Sequence, residues 1–99
     1  MTEFLDVDPA ELRLPPSRSQ GADSAKLTRQ ISKFGSTIVG MPPLQLVRRR
    51  GGELRINDGV TRATRAAKLR RGTLIRAEII HDLANLDLTK TPKVKERLP

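Results

Sequence analysis

The 99-residue chain has no cysteine, tryptophan or tyrosine, only two aromatic residues (Phe4 and Phe34) and one histidine, His81. Each absence closes a class of chemistry or construction. Without cysteine there is no disulfide, no thiolate nucleophile and no cysteine-based zinc site. With two aromatics the core must be aliphatic, and a chain of this length supports one modest core, hence one domain. No apolar run approaches the roughly 20 residues that span a bilayer. The acidic opening Thr2-Glu3-Phe4-Leu5-Asp6 lacks the basic and apolar regions of a secretory leader. The expectation is a soluble, cytoplasmic protein with no membrane partner.

What the chain does have is positive charge, +8 formally, and it is unevenly placed. Between Arg48 and Arg76 stand ten basic residues (Arg48, Arg49, Arg50, Arg55, Arg62, Arg65, Lys68, Arg70, Arg71, Arg76) against two acids, Glu53 and Asp58, while the rest of the chain balances nine against nine. Concentrated positive charge attracts polyanions, of which nucleic acid is the commonest in a cell. Arg48, Arg49, Arg50, Arg65 and Lys68 are therefore candidate nucleic-acid contacts; the competing explanation is a solvated, solubilising surface. No aromatic residue is interleaved with this stretch, so the expected binding is electrostatic and weakly sequence-specific.

The organisation reads as α+β. Phe4 to Val7 alternates as a strand, Asp8 to Leu12 forms a turn with one helical loop, and Pro15 to Gly21 is a polar loop. Asp23 caps a helix carrying Leu27, Ile31 and Phe34 on one stripe and ended by Gly35. Pro43 to Arg48 and Glu53 to Ile56 alternate as strands around an Arg49-Arg50-Gly51-Gly52 hairpin turn. A helix over Val60–Arg71 stopped by Gly72, then a strand over Leu74–Ile80, complete a domain over residues 1–81. Residues 82–99 read as a polar, frayed tail or partner-binding arm.

The most informative stretch is Asn57-Asp58-Gly59-Val60-Thr61-Arg62, where a strand passes through an Asp-Gly turn directly into a helix. The free N–H groups at such a helix start attract anions, phosphate above all. At about 100° per residue, Val60, Ala63, Ala66, Ala67 and Leu69 form an apolar arc. Arg62 lies inside that arc in the first turn, where the helix dipole repels a lone cation and a bound anion would relieve it. Its competing role is an ion pair with Asp58. Arg65 and Lys68 fall on the opposite, solvent side. His81 beside Asp82 is either a general base or an ordinary surface histidine.

In the order Asp23, Lys26-Leu27, Met41-Pro42-Pro43-Leu44, Gly51-Gly52, then Asn57-Asp58-Gly59-Val60-Thr61-Arg62, the chain resembles the ParB/sulfiredoxin superfamily from about Val7 to Ile80. The resemblance implies a small α+β nucleotide-binding fold with a mixed sheet packed on short helices and a Gly-x-x-Arg phosphate motif. By position it implies phosphate contacts from Gly59, Val60, Thr61 and Arg62, with Lys26 assisting and Arg18 at the pocket mouth. It implies a nucleoside triphosphate, CTP or ATP, as ligand, with Mg2+ a further candidate. Sulfiredoxins carry cysteine and histidine where this chain has Val60 and Thr61, which excludes sulfinic acid reduction. Partition proteins carry Gly-Glu-Arg-Arg there and continue into a helix-turn-helix and a dimerisation domain; here Val60 replaces the glutamate and the sequence ends at Pro99. Two functional classes follow. One is a stand-alone module binding nucleotide or nucleic-acid phosphate in a DNA-linked process, with a protein partner or a second copy as further candidate partners. The other is a metal-dependent nuclease, toxin-type included, or an NTP-dependent phosphotransferase, resting on Asp58 as metal ligand and catalytic residue.

Overall fold

Alternating apolar side chains on two segments far apart in sequence make one buried sheet face. In the computed structural model, which describes residues 2–84 and 91–99, strand β1 (Glu3–Val7) pairs antiparallel with β4 (Ile75–Leu83), setting Leu5 against Ala77 and Val7 against Ile75. On its other side β4 runs parallel to β2 (Leu44–Arg49), which forms an antiparallel hairpin with β3 (Leu54–Asp58). The result is a four-stranded mixed sheet in the order β1-β4-β2-β3. Gly51 and Gly52, at φ +104° and +103°, close the hairpin in the backbone region that disfavours other residues.

Two helices complete the α+β domain. Asp23 caps α1 (Ser24–Phe34) by accepting the Lys26 N–H at 3.0 Å, and the Gly35 N–H ends it on the Ile31 carbonyl at 2.8 Å. Its apolar stripe is only partly covered: Leu27 is buried, Ile31 half-buried, and Phe34 remains 46% exposed. Helix α2 (Val60–Leu69) buries Ala63, Ala66 and Ala67, whose small side chains let it lie close to the aliphatic core of Leu14, Leu44, Leu46, Ile56 and Ile79.

Three sequence expectations are corrected. Residues 91–99 are not a frayed tail. Val94 is 1% exposed within the core cluster, its N–H donates to the Leu12 carbonyl at 2.9 Å, and the Leu14 N–H donates to the Pro92 carbonyl at 2.8 Å. Lys93 and Lys95 both close on Glu11, at 2.9 and 2.8 Å, ahead of and within a 3-10 turn over Val94–Arg97. The sequence signal was one valine among polar residues, too short for periodicity to register. Residues 85–90 of the expected tail lie outside the described residues.

The second correction concerns Arg65, placed on the solvent side by the wheel but 2% exposed. A wheel assumes one buried face, whereas α2 touches α1, the 3-10 turn over Pro9–Glu11 and the C-terminal 3-10 turn as well as packing its alanines on the sheet's core residues. The third is β4, which continues past Ile80 through polar residues because His81, Asp82 and Leu83 pair with Val47, Arg48 and Arg49 beyond a bulge.

Candidate phosphate-binding site

β3 ends at Asp58, Gly59 turns the chain at φ +111°, and α2 starts at Val60. Glycine is required there twice over. The φ value is left-handed, and a Cβ would lie 2.5 Å from Leu44 Cδ2 and 3.0 Å from Arg62 Nη2. No side chain caps α2, so the first-turn N–H groups keep their attraction for an external acceptor.

Around this corner three separate segments converge. A cavity of about 230 Å³ is lined by Gly59, Val60, Thr61 and Arg62 of the α2 start, by Arg18 of the 3-10 turn Pro16–Arg18, and by Lys26 of α1. These are the six residues expected from sequence to contact phosphate. Arg62 is held half-buried, its Nη2 donating to the Pro43 carbonyl at 3.3 Å and facing Asp58 Oδ2 at 3.4 Å, while its Nε is buried without a partner. The Asp58 ion pair and the anion-facing position are thus compatible. Both distances are long for hydrogen bonds of a charged donor, which leaves the guanidinium able to turn toward a stronger acceptor.

Sequence reasoning missed Gln30. It lines the same cavity, and its Oε1 is buried without a partner. Its position one helical turn after Lys26 was the available signal. Gln30 and Arg62 also line an adjoining hollow of about 230 Å³, whose walls include Val39, Met41, Pro42 and Phe34.

The candidate nucleic-acid residues are not gathered here. Arg48 is clamped between Glu3 and Asp82 by hydrogen bonds of 2.7 to 3.2 Å, which hold both carboxyls below their ordinary pKa and the guanidinium firmly charged. Arg49 faces Glu53 at 3.4 Å, and Arg50 is exposed at the hairpin turn. Arg65 is the clearest correction. Its Nη1 donates to the carbonyls of Gly35 and Thr37 at 3.0 and 2.7 Å, its guanidinium stacks 5.3 Å from the Phe34 ring centre, and burial pushes its pKa down. It ties α2 to the loop after α1 and is not an open nucleic-acid contact. Lys68 is exposed, six residues and about 9 Å along α2 from Arg62.

Asp58 is a single carboxylate already facing a cation. Among the described residues no group of three or more His, Cys, Asp or Glu is placed to hold a metal ion. The protein side of a metal centre is therefore poor among the described residues. His81 is exposed on β4 and does not line the cavity. Among the described residues no helix is long and apolar enough to cross a membrane.

Comparison with known protein families found no family model that matches this chain, and comparison with curated proteins found no match.

Proposed function

We propose that the chain is a ParB/sulfiredoxin-like domain that binds the phosphates of a nucleoside triphosphate at the Gly59–Arg62 corner, in a DNA-linked, cytoplasmic process. The observation that carries the reading is the convergence of Arg18, Lys26, Arg62 and an uncapped helix start on one cavity, from three segments well separated in sequence. Three cations and a set of outward N–H donors against one acid suit a multiply charged phosphate chain better than a monoanion. The adjoining hollow, mostly apolar in surface, gives the nucleoside a place beside the phosphates. Binding without catalysis is the favoured class, because the alternative nuclease or phosphotransferase rests on Asp58 alone.

Calorimetric titration of the protein with CTP and with ATP tests the reading, and the preference between them names the base. Lys26→Ala and Arg18→Ala, both at exposed positions, are expected to lose about tenfold or more in affinity with unchanged melting. Arg62→Ala is expected to lose most of the binding. Gly59→Val is a poor reporter of ligand contact, since its side chain would strike Leu44 and disturb the fold first. Equal affinity in wild type and Lys26→Ala would place the ligand elsewhere.

A further inference from the structure

Beyond the phosphate corner, the exposed side of α1 carries charge that no acid among the described residues pairs with. Lys26, Arg29, Gln30 and Lys33 occupy i, i+3, i+4 and i+7, one face of the helix. With Thr61 and Phe34 they line a groove of about 380 Å³ that shares Lys26, Gln30 and Thr61 with the phosphate cavity. Among the described residues neither Lys26, Arg29 nor Lys33 has a carboxylate within ion-pair distance. At the far end stands Phe34, 46% exposed, with the flexible Lys33 ammonium and the Arg65 guanidinium each 5.3 Å from its ring centre.

We infer that this groove is a track for a short single strand of nucleic acid, with one phosphate in the Gly59–Arg62 corner, the following phosphates on Arg29 and Lys33, and a base stacked on Phe34. The inference rests on the phosphate reading of the corner and names a longer ligand for it. From Lys26 to Lys33 the helix rises about 10 Å, room for about three nucleotides at the 3.4 Å stacked spacing of one strand. A free nucleotide leaves Arg29 and Lys33 unused. An acidic peptide would satisfy the cations but would have no use for an exposed ring at the end of the groove, whereas base stacking on an aromatic surface is a sequence-tolerant mode of single-strand binding. Stacking displaces the Lys33 ammonium from the ring, freeing it for a phosphate.

The test uses the full chain and fluorescence anisotropy with a labelled oligothymidylate. CTP, inorganic polyphosphate and polyglutamate serve as comparison ligands. Arg29→Ser/Lys33→Ser is expected to lose at least tenfold in oligonucleotide affinity and to flatten the salt dependence by roughly two phosphate contacts, while its affinity for CTP stays that of wild type. Phe34→Leu is expected to lose about fivefold for oligonucleotide and nothing for polyphosphate. Unchanged oligonucleotide binding in the double variant would overturn the track. So would an equal loss for polyphosphate in Phe34→Leu, or polyglutamate competing as well as the oligonucleotide. Wild-type protein that binds CTP but no oligonucleotide also overturns the track, leaving the corner intact. Protein that binds neither overturns the corner reading with it.

Discussion

The hairpin end of the sheet and the exposed face of α1 are both rich in basic residues, yet they use their charge in opposite ways. Arg48 and Arg49 meet Glu3, Asp82 and Glu53, acids drawn from three different strands or their ends, so charge that is dense in sequence is cancelled in space. On α1 the cations are fewer and spaced by helical turns, but no acid reaches Lys26, Arg29 or Lys33 among the described residues. Linear charge density therefore misleads about surface potential. A run of arginines on an inner strand meets the strands beside it, whereas one face of a partly uncovered helix meets only water.

Arg65 is the extreme case of charge that serves the fold, and it carries the largest expected effect. Arg65→Met would leave the Gly35 and Thr37 carbonyls without their donor, and destabilisation of about 2–4 kcal/mol is expected in urea unfolding. Once folded, the variant should bind oligonucleotide as wild type does. Undiminished stability would mean that water replaces the guanidinium and that Arg65 is an available cation after all.

The hairpin provides the direct contrast. Arg48, Arg49 and Arg50 changed together to Ser are expected to lower the melting temperature, because Glu3 and Asp82 then face each other without the guanidinium between them. Oligonucleotide affinity should stay within about twofold of wild type, since partly exposed charges away from the bound strand are screened. A tenfold loss across all oligonucleotide sequences would restore the hairpin as the polyanion surface and break the comparison.

Asp58 tests whether a paired arginine can be released. Asp58→Asn removes the acid that faces Arg62 among the described residues and is expected to tighten binding of CTP about two- to fivefold in the presence of chelator, the modest worth of an exposed ion pair. Weaker binding, restored only by magnesium, would instead favour a metal at this carboxylate and reopen the enzymatic alternative.

Much of the fold was legible because its signals are local. Asp23 and Gly35 bound α1, Gly51-Gly52 closes the hairpin, and the Asp58-Gly59 turn opens α2 where the sequence placed it. The candidate phosphate residues were named from a motif and a family resemblance, and the tertiary structure lines one cavity with Arg18, Lys26 and Arg62. What escaped was set by coverage from remote chain. Val94 inserts into the core, and α1 and the C-terminal turn close over flanks of α2 that a single-face wheel leaves open. Phe34 escaped for the opposite reason: the sequence put it on the packing stripe of α1, whereas in the fold it stays 46% exposed beside Arg29 and Lys33.

The smallest expected effect lies where the C-terminal segment is tied down. Glu11 accepts from Lys93 at 2.9 Å and Lys95 at 2.8 Å, and these hydrogen bonds lower its pKa from 4.5 to about 2. A depressed folded-state pKa stabilises the fold above the unfolded value and ceases to do so as protons bind the folded carboxylate. The tie should be complete above about pH 4.5 and lost as pH falls toward 2. Because Glu11 and Lys95 are exposed, the loss should appear as local loosening, with lower amide protection factors at Lys95 to Arg97 on acidification while the Val94 N–H, bonded to Leu12, stays protected. Glu11→Gln should show the lower protection already at neutral pH and remove this part of its acid dependence. If the Val94 amide exchanges in step with the outer ones, the segment is held chiefly by its ion pairs, and charge on the C-terminal turn then serves the fold no less than charge at Arg48.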